Sequence, residues 1–190
     1  MSMKLRNGGW SLLEMVVALT IFGIVMAAIF GVLVPTVRTF SKNQIQHELY
    51  MQTETSLKAL DKIVSESFGW IEGDTLSLLL VAKSGDTISI HCDRRDSVLY
   101  VNDKTVLPAG YKTAEFKISY KPMADSAMAM SPGQCFIVAD IDGNGLIQGT
   151  EISKVASLSL ILTAVKAGEK YTGTAFPKIP PAIVGIEVGE

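Results

Sequence analysis

The chain has 190 residues, of which 48% are hydrophobic and 19% are charged, and its formal net charge is −2. With 17 Lys and Arg against 19 Asp and Glu there is no basic excess to meet phosphates, which argues against nucleic-acid binding. The hydrophobic excess is local, because residues 15–34 form an uncharged run of 20 residues, 17 of them hydrophobic. The composition therefore predicts one membrane-length segment followed by one small globular domain.

The N-terminal region has three interpretations. A secretory signal has an apolar core of about 7–15 residues and a small-x-small cleavage site after it, whereas this run is longer and is followed by Val-Pro-Thr-Val-Arg. A plain transmembrane anchor needs about 20 apolar residues, which the run supplies. The third interpretation is a processing signal placed before the run. It accounts for basic residues Lys4 and Arg6, for Gly9, and for the order Trp10-Ser11-Leu12-Leu13-Glu14.

This order resembles the precursors of type IV pilins and of type II secretion pseudopilins. Those precursors have a short basic leader ending in Gly, then an aromatic residue, Ser or Thr, two apolar residues, Glu and a hydrophobic helix. Trp10 stands where Phe or Met is usual. The resemblance implies cleavage between Gly9 and Trp10 by a membrane prepilin peptidase, followed by N-methylation. It also implies assembly with other pilin-like subunits by machinery of the inner membrane.

Glu14 at the head of the apolar run has two interpretations. A carboxylate deep in a membrane costs about 2.5–3.5 kcal/mol when it is unpaired. The resemblance implies that it pairs with the free N-terminal amine of a neighbouring subunit. Alternatively, Glu14 lies at the membrane interface and its side chain reaches the headgroups.

The resemblance also predicts the topology. The leader would lie in the cytoplasm, the chain would cross the bacterial inner membrane once, and the C-terminal domain would be periplasmic or extracellular. The flanking charges alone support this orientation only weakly, because Arg38 and Lys42 follow the run.

We expect one helix from Leu12 to Phe68, kinked at Pro35 and stopped at Gly69. An apolar stripe predicts which side of this helix is packed. That side would contact the domain core, neighbouring helices in a filament, or both. The stripe consists of Phe40, Ile45, Leu49, Leu57, Leu60, Ile63 and Val64. The predicted organisation is a leader at 1–9, a membrane or filament-core half at 10–35, an amphipathic half at 36–69 and a β-rich head at 70–190.

The head shows short strand patterns bounded by turns. We predict strands at 76–81, 87–92, 99–101, 113–120, 135–139, 155–164 and 171–176. Strands after a long helix predict an α+β fold with a mainly antiparallel sheet. Pilin-like proteins share this plan.

Residues 140–151 match the pattern D-x-[DN]-x-[DN]-G-x5-E and resemble the calcium loop of EF-hands. The predicted Ca²⁺ ligands are Asp140, Asp142, Asn144, the Leu146 carbonyl, Gln148 through water, and Glu151 through two oxygens. Ile147 would tie the loop to the core. Strand-like segments flank the loop, so the ion would be structural and of modest affinity. The alternative is a hairpin loop that binds no ion.

The chain contains two cysteines, Cys92 and Cys135. In an exported domain an even pair predicts a disulfide, and the alternative is two buried thiols. No phosphate loop, nucleophile elbow, zinc spacing or paired acid–base set is present, so we expect no enzyme.

The leading hypothesis is a prepilin-type subunit of a pilus or of a type II secretion-like filament. Residues 155–163 and the tail that follows are faintly similar to minor pseudopilins of the J type. The rival hypothesis is a single-pass, membrane-anchored, calcium-binding surface or sensor domain that does not polymerise. The mature N-terminus distinguishes the two hypotheses.

Overall fold

The structure is a computed structural model that describes residues 11–123 and 139–181. The chain divides into two compact units, Met1–Gln44 and Ile45–Glu190. One helix, α1 (Leu12–Glu66), contributes to both units. The predicted helix is thus confirmed, with its end two residues earlier than expected.

The described part of the first unit is the N-terminal portion of α1, and its large apolar side chains are exposed. Within the described ranges, α1 is the one helix that is long and apolar enough to cross a membrane. Its threonine hydroxyls are satisfied locally, since Thr20 donates to the Val16 carbonyl at 2.8 Å and Thr36 to that of Val32 at 2.7 Å. This bonding removes polar groups that hydrocarbon could not solvate. Pro35 lies inside the helix without ending it.

In the second unit, α1 packs one face on the domain core. Leu49, Leu57, Leu60 and Val64 are buried there at spacings of three, four and eight residues. The apolar stripe predicted from the sequence therefore belongs, over this part, to the core of its own domain. Phe40 lies in the other unit and is 70% exposed.

Among the residues that the structure describes, nine strands follow the helix and form two antiparallel sheets. The first sheet has the order β5-β4-β3-β2-β1-β7, and the second has the order β6-β8-β9. The strands are β1 (Gly69–Gly73), β2 (Ser77–Val81), β3 (Thr87–Asp93), β4 (Val98–Val101), β5 (Lys104–Thr105), β6 (Lys112–Pro122), β7 (Ile147–Gln148), β8 (Val155–Lys166) and β9 (Glu169–Ala175). A 3₁₀ helix, Gly149–Lys154, separates β7 from β8. The α+β class with antiparallel pairing is confirmed and is consistent with a pilin-like fold.

Alternation of side chains places one face of each main strand in a shared core. On β8, Leu158, Leu160 and Leu162 are buried, and on β6 the same holds for Ile118 and Tyr120. Tyr120 stacks on Trp70 of β1, with ring centroids 5.5 Å apart. The core therefore joins both sheets to the helix face.

One prediction in this region needs correction, and one strand prediction is largely untested. Gly69 was expected only to stop the helix, yet it begins β1, whose Trp70 is fully buried. The predicted strand at 135–139 lies outside the described residues except for Ala139, whose backbone is helical. The short β5 and β7 were not predicted, since two residues carry no periodicity.

A polar contact on the surface of the second unit links α1 to β8. The Lys166 ammonium donates to Glu48 at 2.5 Å and to the Tyr111 hydroxyl at 3.2 Å, and it lies over the Tyr111 ring. The hydrogen bond and charge of Lys166 lower the pKa of Glu48. The hydrogen bond to Glu48, and after it the one to Tyr111, raises the pKa of Lys166.

We therefore expect a pH-dependent contribution to stability from this contact. The Glu48 contribution is present above the unfolded-state pKa of a glutamate and is lost as pH falls through the lowered folded-state pKa. The Lys166 contribution is lost only as pH rises through its raised pKa. Lys166→Met should lower the melting temperature slightly at pH 7, because the pair is solvent-exposed. That difference should shrink at about pH 2, where the carboxylate is protonated and only the contacts of Lys166 with Tyr111 remain; equal differences at both pH values would contradict the assignment.

Candidate functional site

The loop at 140–151 brings three acidic side chains together. One carboxylate oxygen from each of Asp140, Asp142 and Glu151 lies within 4.8 Å of the other two. Asp142 is exposed, Asp140 is half-buried and Glu151 is buried. Three carboxylates so close repel one another unless a cation lies among them.

Backbone amides fix the position of the buried Glu151 carboxylate. Its Oε1 accepts the amides of Ile141 at 2.5 Å and Asp142 at 3.1 Å, while Oε2 accepts the amide of Gln148 at 3.3 Å. Each carboxylate oxygen has two lone pairs. Oε1 uses both on the two amides, whereas Oε2 keeps one that can ligate an ion. Glu151 therefore closes the loop on itself and presents its carboxylate to the other two acids.

Asp140 supplies the observation that bears most directly on an ion. Its Oδ2 accepts the Gly145 amide at 2.9 Å, whereas its Oδ1 is buried without a hydrogen-bond partner among the described residues. A buried carboxylate oxygen without a partner is costly. A divalent cation among the three carboxylates would satisfy it, so the residues present fit Ca²⁺.

The other predicted ligands lie along the same loop. The Asn144 side chain accepts the Leu146 amide at 2.7 Å and donates to Asp142 at 2.9 Å. Gln148 lies on β7 and directs its amide to Glu151. Gly145, at the sharp turn of the pattern, has φ +84, which only glycine adopts without strain. The ligand roles of all six residues stay predictions.

The loop is tied to the domain through β7. Ile147 is fully buried, as predicted, and pairs with Gly73, while Gln148 pairs with Glu72. The C-terminal flank differs from the expectation, because the 3₁₀ helix carries Glu151 before β8 begins. A helical turn lets the Glu151 carboxylate point back to the amides of the loop start. The acidic loop is therefore coupled to the edge of the first sheet.

At the N-terminus, Gly9 and Trp10 lie outside the described residues, and Glu14 lies in the first turn of α1. Glu14 accepts the Ser11 amide at 3.1 Å, and its own amide donates to the Ser11 hydroxyl at 3.2 Å. This reciprocal pair is a capping box. We did not predict it from the sequence, although Ser-x-x-Glu before an apolar run is its pattern. Glu14 thus has a role in its own helix in addition to any role between subunits.

The cysteine prediction is only partly covered by the structure. Cys92 lies half-buried on β3, and burial raises the pKa of its thiol. Cys135 lies outside the described residues. The disulfide stays a prediction, which non-reducing mass spectrometry of the purified chain checks. A peptide pair joined through Cys92 and Cys135 is the expected result, and two alkylatable thiols would contradict it.

The fold and the N-terminal helix define a class of protein: an α+β domain that follows an apolar, membrane-competent helix. Residues 4–30 match the family model of the prokaryotic N-terminal methylation motif. This match, together with the fold, supports a type IV pilin-like or pseudopilin family. The apolar helix and the motif fit a membrane-anchored protein. Comparison with curated proteins and with solved structures gave no match.

Proposed function

We propose that the protein is a prepilin-type subunit of a pilus or of a type II secretion-like filament. In this proposal a prepilin peptidase cleaves the precursor after Gly9, and the new N-terminus at Trp10 is methylated. Subunits then assemble through α1, in the bacterial inner membrane, with other pilin-like subunits and an assembly machinery. The head domain lies on the periplasmic or extracellular side. The work of such a subunit is mechanical rather than enzymatic.

The methylation motif at residues 4–30 is the observation that carries this proposal. From Leu12 onward the motif lies within α1, whose membrane-length apolar segment has exposed side chains in the described structure. An exposed apolar helix needs either lipid or other helices around it. A filament subunit uses both environments in turn, first the membrane and then the filament core.

The second part of the proposal is that Ca²⁺ binds the loop at 140–151 and stabilises the head. The clustered carboxylates of Asp140, Asp142 and Glu151 and the unpartnered oxygen of Asp140 support it. The ion would offset repulsion among the three carboxylates. Because β7 extends from the loop onto β1, the ion would also hold the edge of the first sheet.

The finer assignment is to a minor subunit of the J type, which the faint similarity of residues 155–163 supports. The rival function is a single-pass, calcium-binding surface or sensor domain that does not polymerise. The rival function accounts for the apolar helix and the acidic loop as well as the filament function does. It leaves the methylation motif without a role, and we therefore place it second.

The mature N-terminus tests the proposal directly. We expect mass spectrometry of the chain from bacterial membranes to give a protein that begins at Trp10 and carries one N-methyl group. A Gly9→Val precursor should keep its leader, because a prepilin peptidase requires the small residue at the cleaved bond. A wild-type chain that retains residues 1–9 would overturn the filament proposal and favour the anchored domain.

A further inference from the structure

The two sheets end in four edge strands, and these edges differ in how open they are. β5 and β7 have two residues each. β6 contains two bulges and is tied to other segments by its Ile118 and Thr113 amides, each donating at 2.8 Å. β9 has seven residues, pairs with β8 without a register shift, and has no other strand beside it in the described ranges.

A long, regular and open edge is a template for another strand. The turn between β8 and β9 fixes which groups of β9 face outward. Ala167 and Gly168 have φ +50 and +84, the two positive values of a two-residue type I′ hairpin. The flanking pair in such a hairpin exchanges hydrogen bonds, and the pattern then alternates. Lys170, Thr172 and Thr174 therefore direct their amides and carbonyls away from β8.

The two faces beside this edge have different chemistry. On the helix side, the Tyr50 ring is 45% exposed and contacts Tyr171 edge-on, with centroids 5.2 Å apart. On the opposite side, the side chains of Lys170, Thr172 and Thr174 are all exposed. A strand added here would need an apolar row facing Tyr50 and a small, polar or acidic row beside the lysine and threonines.

We propose that this edge binds residues 182–190 of a second copy of the chain. This segment follows Pro181 and has the sequence Ala-Ile-Val-Gly-Ile-Glu-Val-Gly-Glu. If this segment were paired as a strand, its period of two would place Val184, Ile186 and Val188 in one row, and Glu187 between two glycines in the other row. The apolar row fits the Tyr50 side, and Glu187 has the charge opposite to Lys170.

The proposal rests on the proposed filament function, because a single short strand binds weakly by itself. Subunits held in one filament or one membrane have a high effective concentration, and a weak second contact then persists. Strand addition would link neighbouring head domains, while α1 links the membrane ends.

Photo-crosslinking with isotope mixing tests the contact in the full chain. A benzophenone amino acid replaces Thr174, and equal amounts of ¹⁴N- and ¹⁵N-labelled chains are reconstituted together in lipid vesicles. We expect crosslinks from position 174 to residues 182–190, with mixed-isotope pairs making up about half of them. Crosslinks found only within one chain, or only to other segments, would overturn the proposal.

Two substitutions at Thr172 provide the matched comparison. Thr172→Pro and Thr172→Val both lose the hydroxyl contact to Thr163, which is 2.8 Å in the structure. Only Thr172→Pro also loses the outward amide, and an edge strand tolerates proline at such a position. We expect the mixed-isotope crosslinks to fall at least fivefold in the proline variant and to stay within twofold of wild type in the valine variant.

The circular dichroism spectrum and melting temperature of both variants establish that the head is folded. Equal crosslinking in the two folded variants would overturn strand addition. The mature N-terminus is determined on wild-type chain from bacterial membranes. A chain that begins at Trp10 but gives no mixed-isotope crosslinks defeats this inference alone, whereas a retained leader defeats the filament function.

Discussion

Removing Ca²⁺ with a chelator should lower the melting temperature of the head domain by about 5 °C relative to 2 mM Ca²⁺. Extracellular calcium modules of this ligand type bind with a Kd of about 0.1–1 mM. At a Kd of about 0.1 mM the ligand stabilises the folded state by about 1.8 kcal/mol. For a domain of roughly 150 residues, each 1 kcal/mol shifts the melting temperature by about 2–4 °C. Differential scanning calorimetry of the full chain in detergent, with and without chelator, measures this shift.

Asp140→Asn separates ion binding from loop folding. The amide oxygen of asparagine keeps the acceptor for the Gly145 amide, and its NH₂ group takes the place of the unpartnered Oδ1. The variant should therefore melt at or slightly above the temperature of chelated wild type, because the loop hydrogen bond survives and one of the three repelling charges is gone. It should also lose the response to Ca²⁺, since an NH₂ group does not ligate a cation.

Asp96→Asn is the matched control. It makes the same change of charge and shape at an exposed turn residue of the same domain. Its melting temperature should rise with Ca²⁺ by as much as that of wild type. A full Ca²⁺ response in Asp140→Asn, or none in wild type, would remove calcium from the proposed function.

The elements that the sequence predicted well are those whose periodicity extends over several residues. The helix face of Leu49, Leu57 and Leu60 repeats with the helical period, and Ile118 and Tyr120 repeat with the period of a strand. These patterns arise because one side of each element is buried against the core. Local periodicity is therefore enough to locate α1, β3, β6 and β8.

Features that depend on distant partners were not predictable in this way. β7 exists because Ile147 and Gln148 meet Gly73 and Glu72, which lie far away in the sequence. β1 has buried residues at both ends rather than in alternation. In the acidic loop, the sequence gives the ligand types and their spacing. It does not give the three amides that hold Glu151, because these depend on how the loop closes.

For Glu14 the local role, the capping box with Ser11, could have been predicted from the sequence. Its proposed role between subunits cannot be seen in the structure of one chain. The Ser11–Glu14 capping box explains why a helix start benefits from this carboxylate. The capping box does not explain why this residue is a charged glutamate, because a neutral glutamine would cap the helix equally well. The two roles predict different results for conservative substitutions.

Glu14→Gln and Glu14→Ala should both abolish assembly while leaving cleavage after Gly9 intact. Glutamine at this position keeps an acceptor for the Ser11 amide, so the capping box survives, but the negative charge that would pair with a neighbour's amine is gone. One lost ion pair of about 1.4 kcal/mol lowers a single association constant tenfold, and the loss recurs at each added subunit. We therefore expect at least a tenfold fall in sedimentable, high-molecular-mass filaments for both variants, measured by ultracentrifugation and immunoblotting of sheared cells.

Ser11→Ala supplies the converse variant, because it removes the hydroxyl that accepts the Glu14 amide and leaves the charge in place. Loss of an N-cap side chain costs about 0.5–2 kcal/mol of helix stability, and the membrane or the filament core supports the rest of α1. Filament yield in Ser11→Ala should stay within about twofold of wild type. If instead Glu14→Gln assembles normally while Ser11→Ala and Glu14→Ala do not, then Glu14 acts as a helix cap, and the contact with the neighbouring amine is ruled out.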